Sequence, residues 1–124
     1  MLNSKKSESY LPERQDIVWI DFDPSKGKEI QKRRPAVIVS SKKYSQLTGL
    51  TVVIPVTHAT NNRFLNTDFL VPIQDGKVNG FANPLQIFSF DFKKRKIKKA
   101  GQVNDAAYAK IQQTLLFVVS SSNG

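Results

Sequence analysis

The segment of residues 16–40, DIVWIDFDPSKGKEIQKRRPAVIVS, constrains the fold of this chain more than any other stretch. It contains an apolar run, a loop rich in lysine, and a second apolar run. Apolar runs with many β-branched and aromatic residues are typical of strands, and Pro24 and Gly27 supply turn chemistry between them. The loop ends at Arg33 and Arg34, so two guanidinium groups lie where a loop meets a sheet. Guanidinium groups in that position are suited to binding a phosphate.

The composition predicts one globular domain. A chain of 124 residues with 40% hydrophobic residues is long enough to bury a core. We divide it into a polar N-terminal lead-in, residues 1–15, and a domain, residues 16–120. The chain has no cysteine, which excludes disulfides, thiolate metal sites and cysteine nucleophiles. No apolar run reaches the roughly 20 residues of a membrane helix, and residues 1–15 lack the apolar region expected of a secretory signal. We therefore predict a cytoplasmic protein without a membrane partner.

The positive charge is concentrated in two blocks. The formal net charge is +9 and the pI is about 9.9, which favours a polyanionic partner such as nucleic acid, an acidic protein or an anionic surface. One block lies within residues 26–34 and the other within residues 93–99. The second block taken alone is typical of a solvated face. Because the first block adjoins a candidate phosphate site, we favour nucleic acid, although the lysines suit an acidic protein equally well.

The remaining pattern predicts short strands followed by one helix. We expect strands over residues 17–22, 35–40, 50–56, 68–73 and 85–90, and a further short strand within 94–103. Ser41 is suited to cap a helical turn over residues 42–47, which Gly49 would end. Asn104 is a good N-cap for an amphipathic helix from Asp105 to about Val119. This order predicts a mainly β fold: a small, strongly bent sheet or barrel with a helix packed on it.

A second chemical signal, Pro55-Val56-Thr57-His58, ends the third apolar run. His58 is the only histidine, so one chain cannot supply the two histidines of a familiar ribonuclease design. Its side chain is suited to proton transfer, and it is interpreted either as a substrate contact, as an auxiliary acid–base group, or as a plain exposed loop residue.

The acidic residues predict neither a metal site nor a cofactor. Asp21 and Asp23 point the same way on a strand, but only Glu29 is near them and no histidine pairs with them. Asp23 precedes a proline and is better interpreted as a turn residue.

These residues, taken in order, resemble the signature of the MazF/PemK toxins. The matching stretches are VWIDFDPSKG (18–27), Glu29, RRPAVIVS (33–40), Tyr44, Thr48-Gly49-Leu50, Pro55-Val56-Thr57, Gly80, Gln86, Ser89-Phe90-Asp91 and Gly101-Gln102-Val103. The resemblance covers residues 16–116, which is nearly the whole domain.

The resemblance implies a fold, an activity and partners. The implied fold is a small SH3-like barrel of the CcdB/PemK type with a C-terminal helix, assembled as a homodimer. The implied role is the toxin of a type II toxin–antitoxin pair, held in check by an acidic antitoxin. The implied activity is sequence-specific cleavage of single-stranded RNA without a metal.

The resemblance also assigns site residues. The family's catalytic arginine falls on Arg34, its catalytic threonine on Thr57 and its loop glutamate on Glu29. Arg34 could alternatively pair with Asp21 or Asp23, and Glu29 could hold an arginine in place rather than accept a proton. The predicted RNA contacts are Lys26, Gly27, Lys28, Arg33, His58, Phe64 and Gln86.

Two other functions remain open at this point. The CcdB gyrase poisons share the barrel, so a non-catalytic inhibitor of another protein is an alternative that the fold alone does not exclude. A degraded homologue that binds RNA or antitoxin without turnover is another. The Arg34 and Thr57 pair and the basic loop favour the ribonuclease.

Overall fold

A computed structural model describes residues 10–22, 33–58 and 69–120. Its strands are β1 (Asp16–Asp21), β2 (Arg33–Ile38), β3 (Leu50–Thr57), β4 (Val71–Gln74), β5 (Asn79–Ala82), β6 (Phe88–Asp91) and β7 (Lys98–Gln102). Its helices are α1 (Lys42–Thr48), α2 (Asp105–Val119) and a 3₁₀ helix (Phe92–Arg95). None of the helices in these described ranges is long and apolar enough to cross a membrane.

The strands form one seven-stranded sheet with antiparallel pairing in the order β4-β5-β3-β2-β1-β7, and β6 also pairs with β3. β3 is the central strand. One edge of it pairs with β2, and the other edge is shared by β6 along its first half and β5 along its last two residues. The sheet curls into a half-barrel, with α2 packed beside β4. The predicted bent sheet or barrel with a C-terminal helix is confirmed.

The sheet has a buried layer on each face. Ile17, Val37 and Ile54 pack on the face that also buries Tyr108 and Ile111 of α2. Their strand neighbours Val18, Ala36 and Val53 pack on the opposite face with Phe90. Strands buried on both faces read as continuous apolar runs rather than as alternating patterns. This double burial explains why β1, β2 and β3 were the strands most evident in the sequence.

Both helix predictions are confirmed at their caps. The Ser41 hydroxyl accepts a hydrogen bond from the Tyr44 amide at 3.1 Å, and Gly49 ends α1 with φ 77°. The Asn104 side chain accepts a hydrogen bond from the Ala107 amide at 2.8 Å, and α2 spans the predicted range. Local cap chemistry therefore fixed these boundaries.

The strand predictions after β3 are partly wrong. β5 was not predicted, because its NGFA sequence contains a glycine and carries little strand signal. The predicted strand over 85–90 is observed as the shorter β6, and the segment within 94–103 begins in the 3₁₀ helix before β7. The Asp91 carboxylate caps that helix by accepting a hydrogen bond from the Lys93 amide at 3.1 Å. β4 begins later than predicted, at Val71, and residues 59–68 lie outside the described residues.

A candidate nucleic-acid cleft at the strand ends

A cleft of about 630 Å³ lies where β1 and β3 end and β2 begins, with the β4–β5 turn opposite them. Its wall contains apolar surface from Trp19, Pro35 and Val56 and polar surface from several longer side chains. The residues that line it are Trp19, Arg33, Arg34, Pro35, Val56, Thr57, His58, Lys77, Val78 and Asn79. A basic cleft of this size with an aromatic wall can accommodate part of a nucleic-acid strand.

The register of β2 and β3 brings Arg34 and Thr57 to the same cleft. Ala36 pairs with Pro55, and Arg34 and Thr57 each lie two residues beyond that pair on their own strands. Both residues line the cleft, and Arg34 is exposed while Thr57 is half-buried. Arg34 has no ion-pair partner among the residues in the described ranges. Its guanidinium is therefore available to an anion that enters the cleft.

Arg33 differs from its neighbour because its charge is already paired. It lies directly across from Asp21 in the β1–β2 ladder, and its Nη1 donates to the Asp21 Oδ1 at 2.9 Å. Its Nη2 donates to the carbonyl oxygen of Lys96 at 2.9 Å. The sequence had offered a salt bridge with Asp21 as the alternative role of Arg34, but in the structure this bridge belongs to Arg33.

Gly80 sits against the backbone of Thr57. It lies beside the Thr57–Phe81 pair with φ 155°, and a Cβ built on it would come within 2.8 Å of the Thr57 carbonyl oxygen. A side chain at this position would therefore displace β3 where it borders the cleft. The packing of β5 against β3 thus depends on the absence of a Cβ at residue 80.

Sequence reasoning missed Lys77 and Asn79, which line the wall contributed by the β4–β5 hairpin. Asp75-Gly76 is a sequence typical of turns, and Gly76 adopts φ 82° there. The hairpin was nevertheless not recognised, because β5 was not predicted. A strand predicted directly after the Asp75-Gly76 turn would have indicated a hairpin that carries Lys77 and Asn79.

Of the remaining predicted site residues, two lie within the described ranges and the others lie outside them. His58 is exposed and lines the cleft, whereas Gln86 is not among the lining residues and accepts a hydrogen bond from the Asn83 amide at 3.3 Å. The others, Lys26, Gly27, Lys28, Glu29 and Phe64, lie outside the described residues. Within the described ranges, no three histidine or acidic side chains form a group that could hold a metal ion.

Comparison with known proteins identifies the family. Residues 13–119 match the family model described as PemK-like, MazF-like toxin of type II toxin-antitoxin system. The chain belongs to the PemK/MazF toxin family. The predicted resemblance is therefore confirmed, and the match extends over residues 13–119.

Curated relatives of this family agree with the assignment. The chain is 33% identical over 94 residues to the endoribonuclease toxin MazF of Escherichia coli strain K12, covering 76% of this chain and 81% of the relative. It is 36% identical over 103 residues to the endoribonuclease toxin ChpB of the same strain, covering 82% and 85%. These relatives bear out the prediction of an endoribonuclease.

Solved MazF structures share the fold. The crystal structure of MazF from Deinococcus radiodurans matches with a TM-score of 0.75 and 26% identity, covering 90% of this chain and 98% of that one. A MazE–MazF crystal structure from the same organism matches with a TM-score of 0.77 and 25% identity, covering 91% and 100%. The half-barrel with its C-terminal helix is thus the fold of MazF.

Proposed function

We propose that this protein is the toxin of a type II toxin–antitoxin pair and that it cleaves single-stranded RNA at specific sequences without a metal ion. The observation that carries the proposal is the presence of Arg34, Thr57 and His58 in one basic cleft, with Arg34 unpaired among the described residues. The family membership and the names of the relatives support an endoribonuclease of a toxin–antitoxin system.

The proposed reaction uses the RNA's own nucleophile. The 2′-oxygen attacks the adjacent phosphorus, the bond from phosphorus to the 5′-oxygen breaks, and the 2′-hydroxyl proton leaves while the 5′-oxygen gains one. The products are a 2′,3′-cyclic phosphate and a 5′-hydroxyl. The crowded phosphorane carries more negative charge than the starting diester, so a guanidinium stabilises the transition state more than the substrate.

Each proposed residue has a role that follows from its chemistry. Arg34 donates two hydrogen bonds to the non-bridging phosphate oxygens. Thr57 donates to the phosphate or orients the attacking group. His58 contacts substrate or assists proton transfer, and Glu29 accepts a proton or holds an arginine in place.

RNA binding involves more of the surface than the reacting atoms. Lys77 and Asn79 are proposed contacts from the hairpin wall, where an amide can bond a base edge and an ammonium can bond a phosphate. The loop lysines Lys26 and Lys28 add electrostatic attraction. The proposed roles of Gly27 in loop bending, Phe64 in base stacking and Gln86 in base recognition remain sequence-based.

The proposed protein partners are an acidic antitoxin and a second copy of the chain. The net charge of +9 favours an acidic partner, and one neighbouring structure contains MazE with MazF.

The end of α2 presents apolar side chains, with Leu116 63% and Val119 72% exposed, along a groove of about 480 Å³. We propose that this surface pairs with a second copy. Leu116→Glu should then convert a dimer to a monomer in light scattering, whereas the exposed Lys110→Glu should not.

The first experiment is cleavage of a long single-stranded RNA by purified protein in EDTA, with the cut ends mapped. Wild type should give discrete cuts with 5′-hydroxyl ends, and a single 2′-deoxy substitution at a mapped site should abolish that cut. Arg34→Ala should lose the activity, whereas Lys43→Ala, which removes an exposed cation on α1, should retain it.

Each contrary result has a distinct meaning. Cuts that disappear in EDTA would overturn metal independence, and cuts at a 2′-deoxy position would overturn the attack by the 2′-hydroxyl. Equal activity of Arg34→Ala and wild type would remove the central assignment. The absence of cuts from folded wild type would favour the gyrase-type inhibitor or a non-catalytic homologue.

A further inference from the structure

Arg95 is an arginine that the proposed chemistry does not use, yet it binds the backbone at the end of β1. It lies in the 3₁₀ helix, far from β1 in sequence, and its Nη1 donates to the carbonyl oxygens of Phe22 at 2.7 Å and Asp21 at 3.2 Å. Its guanidinium carbon lies 4.0 Å from the ring centroid of Phe90. The side chain is thus fixed by two hydrogen bonds and by a cation–π contact.

The same two carbonyl groups mark the end of β1. Phe22 is held in place by edge-on contacts with Phe88 and Phe90, with ring centroids 5.2 and 5.3 Å apart. Arg95 therefore bonds to backbone that is also anchored by an aromatic cluster. The Phe22 carbonyl lies beyond the last described pair of the β1–β2 ladder, and Arg95 donates a hydrogen bond to it.

Arg33 and Arg95 belong to one connected set of contacts at the end of β1. Arg33 bridges the Asp21 carboxylate and the Lys96 carbonyl, and Lys96 directly follows Arg95. We refer to Asp21, Arg33, Arg95 and the backbone of Phe22 and Lys96 as the strand-end clamp. The clamp holds the last described pair of the β1–β2 ladder, Asp21 with Arg33, and the next pair inward is Ile20 with Arg34.

We infer that Arg95 is a positioning residue for RNA cleavage: it keeps the β1–β2 ladder closed at its end, and thereby keeps Arg34 in register with the cleft. This inference rests on the proposed function. Strand ends fray when their last pair is weakly held, and Arg34 lies only one pair from that end. Rate losses of up to about 10²-fold follow from misplacing a group by about 1 Å.

The test compares Arg95→Lys and Arg95→Gln with Lys94→Gln, the matched control. Lys94 is exposed in the same 3₁₀ helix, and its replacement removes the same charge without touching β1. Lysine keeps the charge of Arg95 but lacks the planar guanidinium, which lies over the Phe90 ring while its Nη1 donates to both carbonyl oxygens. Both Arg95 variants should lose about 10- to 100-fold in kcat with a smaller change in KM. Lys94→Gln should change only KM and its salt dependence.

A second arm tests whether Arg95 acts through Arg34. Arg34→Lys is combined with Arg95→Gln, and the loss in kcat for the double variant should fall well short of the product of the two single losses. Residues that act as one unit are non-additive, whereas independent effects multiply. Melting temperatures of all variants, with assays run well below them, separate positioning from simple unfolding.

The outcomes distinguish this inference from the proposed function. If wild type does not cleave RNA, the proposed function itself fails. If wild type cleaves and Arg95→Lys has the wild-type kcat, the inference alone is overturned. Multiplicative losses in the double variant, or equal effects of Arg95→Gln and Lys94→Gln, would likewise overturn it.

Discussion

The two ends of β1 use charged residues in opposite ways. At its start, Asp16 is only 2% exposed, and its carboxylate accepts hydrogen bonds from the Tyr10 hydroxyl and, at 3.2 Å, from the Gln102 amide. The Lys99 ammonium lies 3.4 Å from the same carboxylate. These contacts join the segment before β1 to β7, so the charge at this end holds the sheet together.

At the other end of β1, the charges do not balance. Asp21 pairs with Arg33, but Arg34 on the next position of β2 has no ion-pair partner among the described residues. The unbalanced guanidinium faces a cleft rather than the core. The presence or absence of an ion-pair partner, and not the residue type, therefore distinguishes a structural charge from a candidate functional one.

The largest expected effect is that of Arg34→Ala on activity. Removing the guanidinium that stabilises the phosphorane should lower kcat about 10²- to 10³-fold. The free energy of unfolding should change by no more than about 0.5 kcal/mol, because the residue is exposed and unpaired. Single-turnover RNA cleavage and urea denaturation measure the two quantities. A large loss of stability would show that this end of β1 is structural after all.

Asp16→Ala should give the reverse pattern. It leaves the Tyr10 hydroxyl and the Gln102 amide without their buried partner, and we expect a loss of about 3 kcal/mol in the free energy of unfolding. The kcat of the folded fraction should stay near that of wild type. Glu13→Ala is the matched control, because Glu13 pairs with Lys42 at 3.7 Å on an exposed surface. That control should lose less than about 1 kcal/mol.

Gly80→Ala should affect both quantities, because it acts on backbone beside the cleft. The added Cβ would crowd the Thr57 carbonyl oxygen, and φ 155° is unfavourable for alanine. We expect a loss of about 1 to 3 kcal/mol in stability, together with a fall in kcat of about 10-fold. Gly76→Ala is a useful comparison, since no atom lies within 4 Å of the position its added Cβ would take, although its φ is 82°. Equal losses of kcat in the two variants would argue against a specific effect through Thr57.

The smallest expected effect is the pH dependence contributed by Tyr10. Burial, followed by the hydrogen bond to Asp16, raises the pKa of Tyr10 above its usual range. The unfolded chain therefore releases this proton at lower pH than the folded protein does, so stability should fall as pH rises above about 10. Tyr10→Phe should make that fall shallower and should lower stability by about 1 kcal/mol at neutral pH.

Tyr108→Phe serves as the comparison for Tyr10→Phe. Burial also raises the pKa of Tyr108, but its hydroxyl is buried without a hydrogen-bond partner among the described residues. Removing that hydroxyl should leave stability at neutral pH unchanged or slightly higher. If both variants lost equal stability at neutral pH, the bond between Tyr10 and Asp16 would contribute nothing measurable.

Much of the fold was predictable because local chemistry specifies it. The N-caps Ser41 and Asn104 and the C-cap Gly49 fixed both α-helices, and double burial made β1 to β3 evident as apolar runs. β5 was not predictable in this way. Its stability comes from pairing with β3 and β4 rather than from its own NGFA sequence.

The candidate site was predicted only in part for a similar reason. Arg34, Thr57 and His58 were identified from motifs, and the structure brings all three to one cleft. The RNA contacts predicted for Arg33 and Gln86 remain predictions. In the structure, Arg33 pairs with Asp21, and Gln86 accepts a hydrogen bond from Asn83. Lys77 and Asn79 were missed because their position depends on a hairpin that packs across the sheet.

The sequence by itself determined the helices, the central strands, the family and the arginine–threonine pair, because each depends on neighbouring residues or on an ordered motif. Only the tertiary structure decided which of the two adjacent arginines is paired. That choice depends on the β1–β2 register, which sets Asp21 opposite Arg33, and on Arg95 and Lys96, which approach from a distant part of the chain. Side-chain pairing across strands follows from the fold, and no local pattern of residues encodes it.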